Sequence, residues 1–382
     1  MLSPANILVS WFYRLLSVGL MIAGVGLIVL WFSGSISTSS DGDHSAAGRW
    51  GPWLGFLALI AGIVCSCWAV AGHRLHPARL RAASDGKVPA TPTGDVKFIV
   101  RPDGSKLFVE SHGSTDLPTV VLVHGWSLNS NQWVYLQSEW RQILRIVTWD
   151  LAGMGRSTPP RNQDYSIDKM AHDLRAVIEE SDADSVVLLG HSIGGMVILK
   201  FCQLFPELLG TRVSKLVLVH STYTNPLKTM AFGKQLLAIQ KWLIEPLIYV
   251  QIYTWPLIWF ADYLCYFNGS LHWTGFAGKG TRQQIDFVAR FYANDSPAVL
   301  ARGALGMLAF DATEAFPLIK IPVLVVGAEQ DPLTNIEASR TIAKEITSAK
   351  LLVFDPAKHF ALIEYHKDFA KQTAAFCLGR DH

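Results

Sequence analysis

An α/β fold, with a mostly parallel sheet and helices on both faces, is predicted from three observations. Short apolar runs recur at 119–123, 145–149, 185–189, 215–219, 323–326 and 350–354. They lack polar alternation, as strands covered on both faces require. Helical patterns fall between them, at 167–180, 195–204, 336–346 and 365–377. One junction is unusually sharp: Gly190-His191-Ser192-Ile193-Gly194 sits between an apolar run and the next helical pattern. A strand that turns through glycines into a helix holds its central serine at the apex of the turn.

The first 83 residues read differently. The stretch 15–32 carries no charge, 7–13 extends it beyond Arg14, and 52–70 is uncharged too. A bilayer core of about 30 Å needs roughly 20 helical residues, so both runs are long enough to cross. Trp11, Trp31, Trp50, Trp53 and Trp68 lie near the expected ends, where indole rings favour the headgroup level. We therefore expect two transmembrane helices, at about 10–32 and 52–71, in a hairpin occupying residues 1–83. A second span so close behind the first argues against a cleaved signal peptide. Its length argues against a buried core helix.

Arg74, Arg79, Arg81 and Lys87 follow the second run, whereas the loop between the runs has Arg49 against Asp41 and Asp43. The positive-inside rule then predicts a multi-pass protein of the cell membrane with the remainder of the chain cytoplasmic. Five cysteines without regular spacing point to neither a disulfide framework nor a metal site. A net charge of +2 without a clustered basic face excludes a nucleic-acid partner. Nothing in the sequence identifies a protein partner.

Residues 84–95, rich in Pro, Gly and Thr, read as a linker. The α/β core is expected in two parts, 96–221 and 317–382, and opens with a hairpin of 97–100 and 107–110 about Pro102-Asp103-Gly104. Between the parts, 222–316 lacks β patterns and is expected as a helical cap over the sheet's C-terminal edge. Its stretch 242–275 is densely aromatic, and Pro246 and Pro256 are expected to divide it into short helices. The aromatics serve as cap core, as an apolar substrate tunnel or as a surface resting on a bilayer; a third span is disfavoured by Glu245, Asp262 and the prolines.

A serine hydroxyl near pH 7 needs an adjacent base to become a nucleophile, and the base needs an acceptor that fixes its tautomer. Ser192 is the candidate nucleophile, His359 the base and Asp331 the acid. Asp331 and His359 each follow a predicted strand, at the edge where open α/β sheets keep their sites. Asp311, Asp355 and Glu329 are alternative acids. Negative charge on a tetrahedral intermediate needs aligned N–H donors, for which Trp126 and Ile193 are the candidates. His124 is read as ordering the loop of Trp126, His191 as part of the turn around Ser192, and Asp150 as a turn-former. His220, His272 and His366 are set aside as lacking a strand-end position. No His/Cys/Asp spacing matches a metal site, no phosphate-cradling loop is present, and no cofactor is expected.

Together His124-Gly125-Trp126, DLAGMGRS at 150–157, GHSIGG at 190–195, GAEQDP and KHF make the chain from about 96 to the C-terminus resemble the α/β-hydrolase superfamily, in its esterase, lipase and perhydrolase-like branches. The resemblance implies an α/β-hydrolase fold, and it supports Trp126 and Ile193 as the oxyanion amides. It argues against epoxide hydrolases and haloalkane dehalogenases, which have Asp where Ser192 stands. The implied activity is that of a serine hydrolase cleaving carboxylic esters; the hairpin, outside the shared pattern, makes it membrane-anchored, and the anchor and aromatic cap point to apolar or lipid-like substrates. Carbon–carbon or amide cleavage, acyl transfer, and a non-catalytic membrane scaffold or binding protein are the competing readings.

Overall fold

The computed structural model describes residues 88–90 and 93–380, apart from 231, 265–273 and 279, together with residue 60. The expected membrane hairpin therefore lies, except for Ile60, outside the described residues. Among the described residues no helix is long and apolar enough to cross a membrane. Two compact units divide the chain, and the sheet and candidate site belong to the one formed by residues 80–263 and 270–382.

That unit is built on eight strands: β1 (Asp95–Val100), β2 (Lys106–His112), β3 (Thr119–Val123), β4 (Arg145–Trp149), β5 (Val186–His191), β6 (Val213–Val219), β7 (Val323–Ala328) and β8 (Ala349–Phe354). Their spatial order is β1-β2-β4-β3-β5-β6-β7-β8. β1 and β2 form an antiparallel hairpin, and β2 runs antiparallel to β4. All other pairings are parallel. Asp95, expected to end the linker, is instead the first residue of β1 and pairs with Ser111.

Why the interior strands read as unbroken apolar runs is now plain. Val120, Val121, Leu122 and Val123 are all fully buried. Successive side chains point to opposite faces of a sheet, so both faces of β3 are covered. Val121 and Val123 join a core shared with two helices, α2 (Ile167–Glu180) and α3 (Ile193–Leu204). On α2 the apolar residues Ile167, Met170, Ala171, Leu174, Val177 and Ile178 recur at helical spacing and are buried. Its start is capped by the Ser166 hydroxyl, which accepts from Lys169 N–H at 3.2 Å. A short helix that the sequence reading missed, α1 (Val134–Trp140), packs against α11 (His366–Cys377), where Trp140 Nε1–H donates to the Ala370 carbonyl at 2.9 Å.

Register sets what the fold offers chemically. Val123 pairs with both Trp149 and Gly190, His191 with Val219, and Val219 with Val326. The C-terminal ends of five adjacent strands are therefore level, and every loop leaving them opens on one edge.

Between β6 and β7 the described residues form α4 (Pro226–Thr229), α5 (Gly233–Ile239), α6 (Glu245–Leu264), α7 (Arg282–Asn294) and α8 (Pro297–Leu308). One expectation here is corrected. Pro246 and Pro256 do not divide this stretch into short helices: α6 runs continuously for 20 residues. A π-helical turn at Gln240–Ile244 joins α5 to α6 just before Pro246, with the Glu245 N–H donating to the Gln240 carbonyl. The chain ends with α9 (Ile336–Glu345), α10 (Ala361–Glu364) and α11.

Leu188, at the centre of β5, is fully buried. Leu188→Ala is expected to lower stability by about 2–5 kcal/mol, because the rigid sheet cannot collapse into the void. Urea titration of wild type and variant, followed by intrinsic fluorescence, measures this.

Candidate active site

The turn between β5 and α3 is made possible by its glycines. A methyl group on Gly190 would run into the backbone of Gly194, and one on Gly194 into the carbonyl of Val123. With both positions bare, the chain turns tightly enough to force Ser192 to φ 56° and ψ −118°. That region is costly for a residue with a Cβ and persists only where surroundings impose it. Here they do: Ser192 N–H donates to the Val219 carbonyl at 2.9 Å, and the Ser221 hydroxyl donates to the Ser192 carbonyl at 2.7 Å. Ser192 is 6% exposed and caps α3, whose first residue is Ile193. As the first residue of the helix, Ile193 has an N–H with no partner within it.

Asp331 follows β7 and His359 follows β8. The fold brings His359 Nδ1 to 2.7 Å from Asp331 Oδ2, with both side chains buried. The other Asp331 oxygen accepts from the N–H groups of Leu333 at 2.8 Å and Thr334 at 3.1 Å, and the Thr334 hydroxyl donates to Oδ2 at 2.7 Å. Burial pushes this carboxyl up; the His359 imidazole and its hydrogen bond, His220 and the Thr334 hydroxyl outweigh that and hold it at about 2. An ionised Asp331 only accepts, so His359 Nδ1 carries the proton and Nε2 has the lone pair. Nε2 is buried and makes no hydrogen bond.

His359 lies against the turn that carries Ser192. The ring of His191 is 4.8 Å from that of His359, centroid to centroid. His191 Nε2 is 3.1 Å from the His359 carbonyl oxygen, and since a carbonyl only accepts, His191 is protonated at Nε2. Burial keeps the imidazole of His191 neutral, its pKa well below the ordinary value, and His359 and His220 add to the shift.

On the opposite side of Ser192, β3 ends at Val123. The Gly125 N–H is taken by Gln132 Oε1 at 2.9 Å. His124 Nε2 accepts from Leu151 N–H at 2.9 Å, so its Nδ1–H donates to the Gly125 carbonyl at 2.8 Å. His124 is therefore a neutral brace between two loops, with burial lowering its pKa. Asp150 accepts from the N–H groups of Ser130 at 2.6 Å and Arg156 at 2.8 Å, and so organises the loops that flank the site. Trp126 is buried, and its ring lies so close to Gly303 of α8 that any Cβ there would overlap it. Thus a helix of the insertion holds the loop of Trp126 in place.

The insertion is also fastened on the far side. The Glu364 carboxylate accepts from Ala277 N–H and Gly280 N–H, both at 2.9 Å, and Phe360 N–H donates to the Gly275 carbonyl at 2.8 Å. Two of the three alternative acids are occupied elsewhere: Asp311 with the hydroxyls of Thr224 and Thr313, and Glu329 with Arg340.

Setting His220 aside for want of a strand-end position was an error. It directly follows β6 at φ 46°, with Nδ1 3.8 Å from Asp331 Oδ2. Both its ring nitrogens are buried without hydrogen bonds. Burial pushes its pKa down to about 3, against the pull of Asp331 and helped by His359. His220, Asp331 and His359 also place one donor atom each within 4.8 Å of one another, a set sequence spacing does not disclose. The Asp331 oxygens, however, already receive four hydrogen bonds, so a metal would compete with the proton on His359 Nδ1.

A strained serine beside an Asp-oriented imidazole, at the C-terminal edge of a parallel sheet, is the arrangement of hydrolytic enzymes built on a nucleophile elbow. Sequence comparison gives the same class: the model described as "Alpha/beta hydrolase family" matches residues 120–372, and the chain belongs to that family. It is similar to the bifunctional esterase/perhydrolase DCH of Acinetobacter calcoaceticus, with 26% identity over 267 residues, covering 69% of this chain and 92% of that one. It is also similar to human epoxide hydrolase 4, with 22% identity over 276 residues, covering 68% of this chain and 72% of the other. The fold matches an esterase from Exiguobacterium antarcticum with a TM-score of 0.57 and 22% identity, over 74% of this chain and 99% of that one.

The buried neutral His220 has a consequence for stability. Its pKa falls from 6.5 to about 3 on folding, so the unfolded chain binds a proton that the folded chain refuses. The folded state is therefore expected to lose stability as pH falls from about 6.5 toward 3. In His220→Gln this acid-side slope becomes shallower, as urea midpoints measured across that range will show.

Proposed function

We propose that this protein is a membrane-anchored serine hydrolase that cleaves carboxylic esters of apolar or lipid-like substrates. One observation carries the reading: His359 has its Nδ1 proton fixed by a buried, ionised Asp331 and an unengaged Nε2, next to the elbow of Ser192. In this reading Ser192 Oγ attacks the ester carbonyl and passes its proton to His359 Nε2. The N–H groups of Trp126 and Ile193 stabilise the oxyanion. Collapse of the intermediate breaks the bond to the alcohol, which leaves with the proton from His359. Water, deprotonated by the same nitrogen, then releases the acid and restores Ser192. No cofactor takes part.

The naming of the Acinetobacter relative as an esterase/perhydrolase supports ester chemistry. An epoxide-opening reaction, which the human relative's name raises, needs a carboxylate at position 192, and a serine stands there. Carbon–carbon or amide cleavage and acyl transfer use the same three side chains. They are separated from ester hydrolysis by substrate rather than by catalytic residues. A scaffold without catalysis is disfavoured, since none of the three side chains is replaced. The anchor rests on the sequence: residues 10–32 and 52–71 as two spans, residues 222–316 as a cap, and the α/β core on the cytoplasmic side of the cell membrane.

Ser192→Ala is expected to abolish hydrolysis of p-nitrophenyl esters and labelling by a fluorophosphonate probe, with an unchanged circular dichroism spectrum. Wild-type rates in Ser192→Ala would remove that serine from the mechanism. In Asp331→Asn, which removes the acceptor that fixes the His359 tautomer, kcat is expected to fall on the order of 10³–10⁴-fold. Across a chain-length series, wild type is expected to prefer long acyl groups. A preference for acetyl esters would overturn the lipid-like assignment.

A further inference from the structure

We propose that the outward face of α5 and α6 is a membrane-contact surface that seats in the headgroup region of a lipid bilayer. This deepens the reading of the protein as membrane-anchored and rests on it.

Ala238, Trp242, Pro246, Tyr249 and Tyr253 recur at intervals of three or four residues, with Val250 beside Tyr249, and all are exposed. Exposure reaches 66% for Trp242, 50% for Tyr249, 47% for Val250 and 81% for Tyr253. Phe232, just ahead of α5, is 73% exposed and sits at φ 61°. A bulky aromatic in the left-handed region is held outward at a cost in backbone energy. The other amphipathic helices of the same unit behave differently. α9 exposes Glu337, Arg340, Lys344 and Glu345, and α2 exposes Asp168, His172, Glu179 and Glu180. A contiguous stripe of exposed apolar groups is uncommon on a domain that meets only water.

Chemistry on and around the stripe selects the occupant. Trp and Tyr are the residues that favour the membrane–water interface, because each joins an apolar ring to a hydrogen-bonding group. Lys234 and Lys241 are exposed beside the stripe, placed to meet anionic headgroups. The nearest carboxylate, Glu245, is only partly exposed and accepts from Gln240 Nε2 at 2.9 Å. The unmet length of chain points the same way. Residues 1–87 precede the described core and contain the two uncharged runs, at 15–32 and 52–70. About 25 residues separate the second run from β1, a tether that keeps this domain within reach of a bilayer.

The test uses the full chain in liposomes of phosphatidylcholine with and without phosphatidylglycerol. Trp242→Cys, Tyr253→Cys and, on α9, Glu345→Cys are labelled with an environment-sensitive fluorophore, and the unsubstituted chain gives the background from its own five cysteines. Nitroxide-bearing lipids are expected to quench positions 242 and 253 at least about two-fold more than position 345, and more strongly with phosphatidylglycerol present. Equal quenching at all three positions overturns the proposal. So does protection of 242 and 253 without lipid quenching, which marks a face between two copies. Alkaline carbonate extraction separates the two readings. Chain retained in the membrane without quenching sinks the surface and keeps the anchor. Chain extracted by carbonate yet quenched before extraction sinks the anchor and keeps the surface. A double variant, Trp242→Glu with Tyr253→Glu, is expected to lower hydrolysis of vesicle-embedded esters several-fold and leave that of p-nitrophenyl acetate unchanged; an equal loss on both substrates also overturns the proposal.

Discussion

A negative charge with no access to water is the constraint around which this site is built. The Asp331 side chain has no exposed surface, and an unpaired carboxylate in such a place would take up a proton. Four donors prevent it: two backbone amides, one hydroxyl and one imidazole. The imidazole is the donor with a second task. Because its Nδ1–H is committed to Asp331, its Nε2 has a lone pair, and the ring cannot rotate away without stranding the charge. Burial, against the pull of that charge, keeps the neighbouring histidines neutral. His191 and His220 are packed within about 6 Å of His359 and remain uncharged, so no second cation draws the carboxylate from its partner.

The backbone supplies the other half of the geometry. Level strand ends place the loops of five strands on one edge, and the glycines on either side of Ser192 let β5 and α3 close on each other. The strain at Ser192 is met by bonds from β6 and from Ser221, so the position of Ser192 depends on a strand that bears none of the three proposed catalytic groups. His220 and Ser221 share that stretch, which makes the end of β6 a support for both Ser192 and Asp331.

Much of this was legible in the sequence because the signals were local. Strands buried on both faces read as unbroken apolar runs, and β3 and β4 fall where the runs fall, at Thr119–Val123 and Arg145–Trp149. The turn around Ser192 is a five-residue pattern, and Asp331 and His359 each sit in a short segment just after a strand. The side chain of His220 was not legible, because its neighbours come from β5, β7 and β8 and only the completed sheet brings them together. Helix α1 was missed because it is shorter than two turns, and the polar Gln137, Ser138 and Glu139 part Val134, Tyr135 and Leu136 from Trp140, which leaves little periodicity to detect. Continuous α6 departs from the expectation because Pro246 and Pro256 are both weighed as helix breakers, whereas the helix runs through Pro256 in its interior.

Glu364 carries a consequence for how the insertion moves. Its carboxylate clasps two amides of the insertion, and it lies one short helix beyond His359. If this side of the insertion swung outward, it would forfeit both clasps and drag on the segment that holds His359. At α8 the Trp126 ring packs so closely on Gly303 that the helix has no room for a Cβ there. The insertion is thus coupled to the loops of both His359 and Trp126, so a change in its position is felt on either side of Ser192.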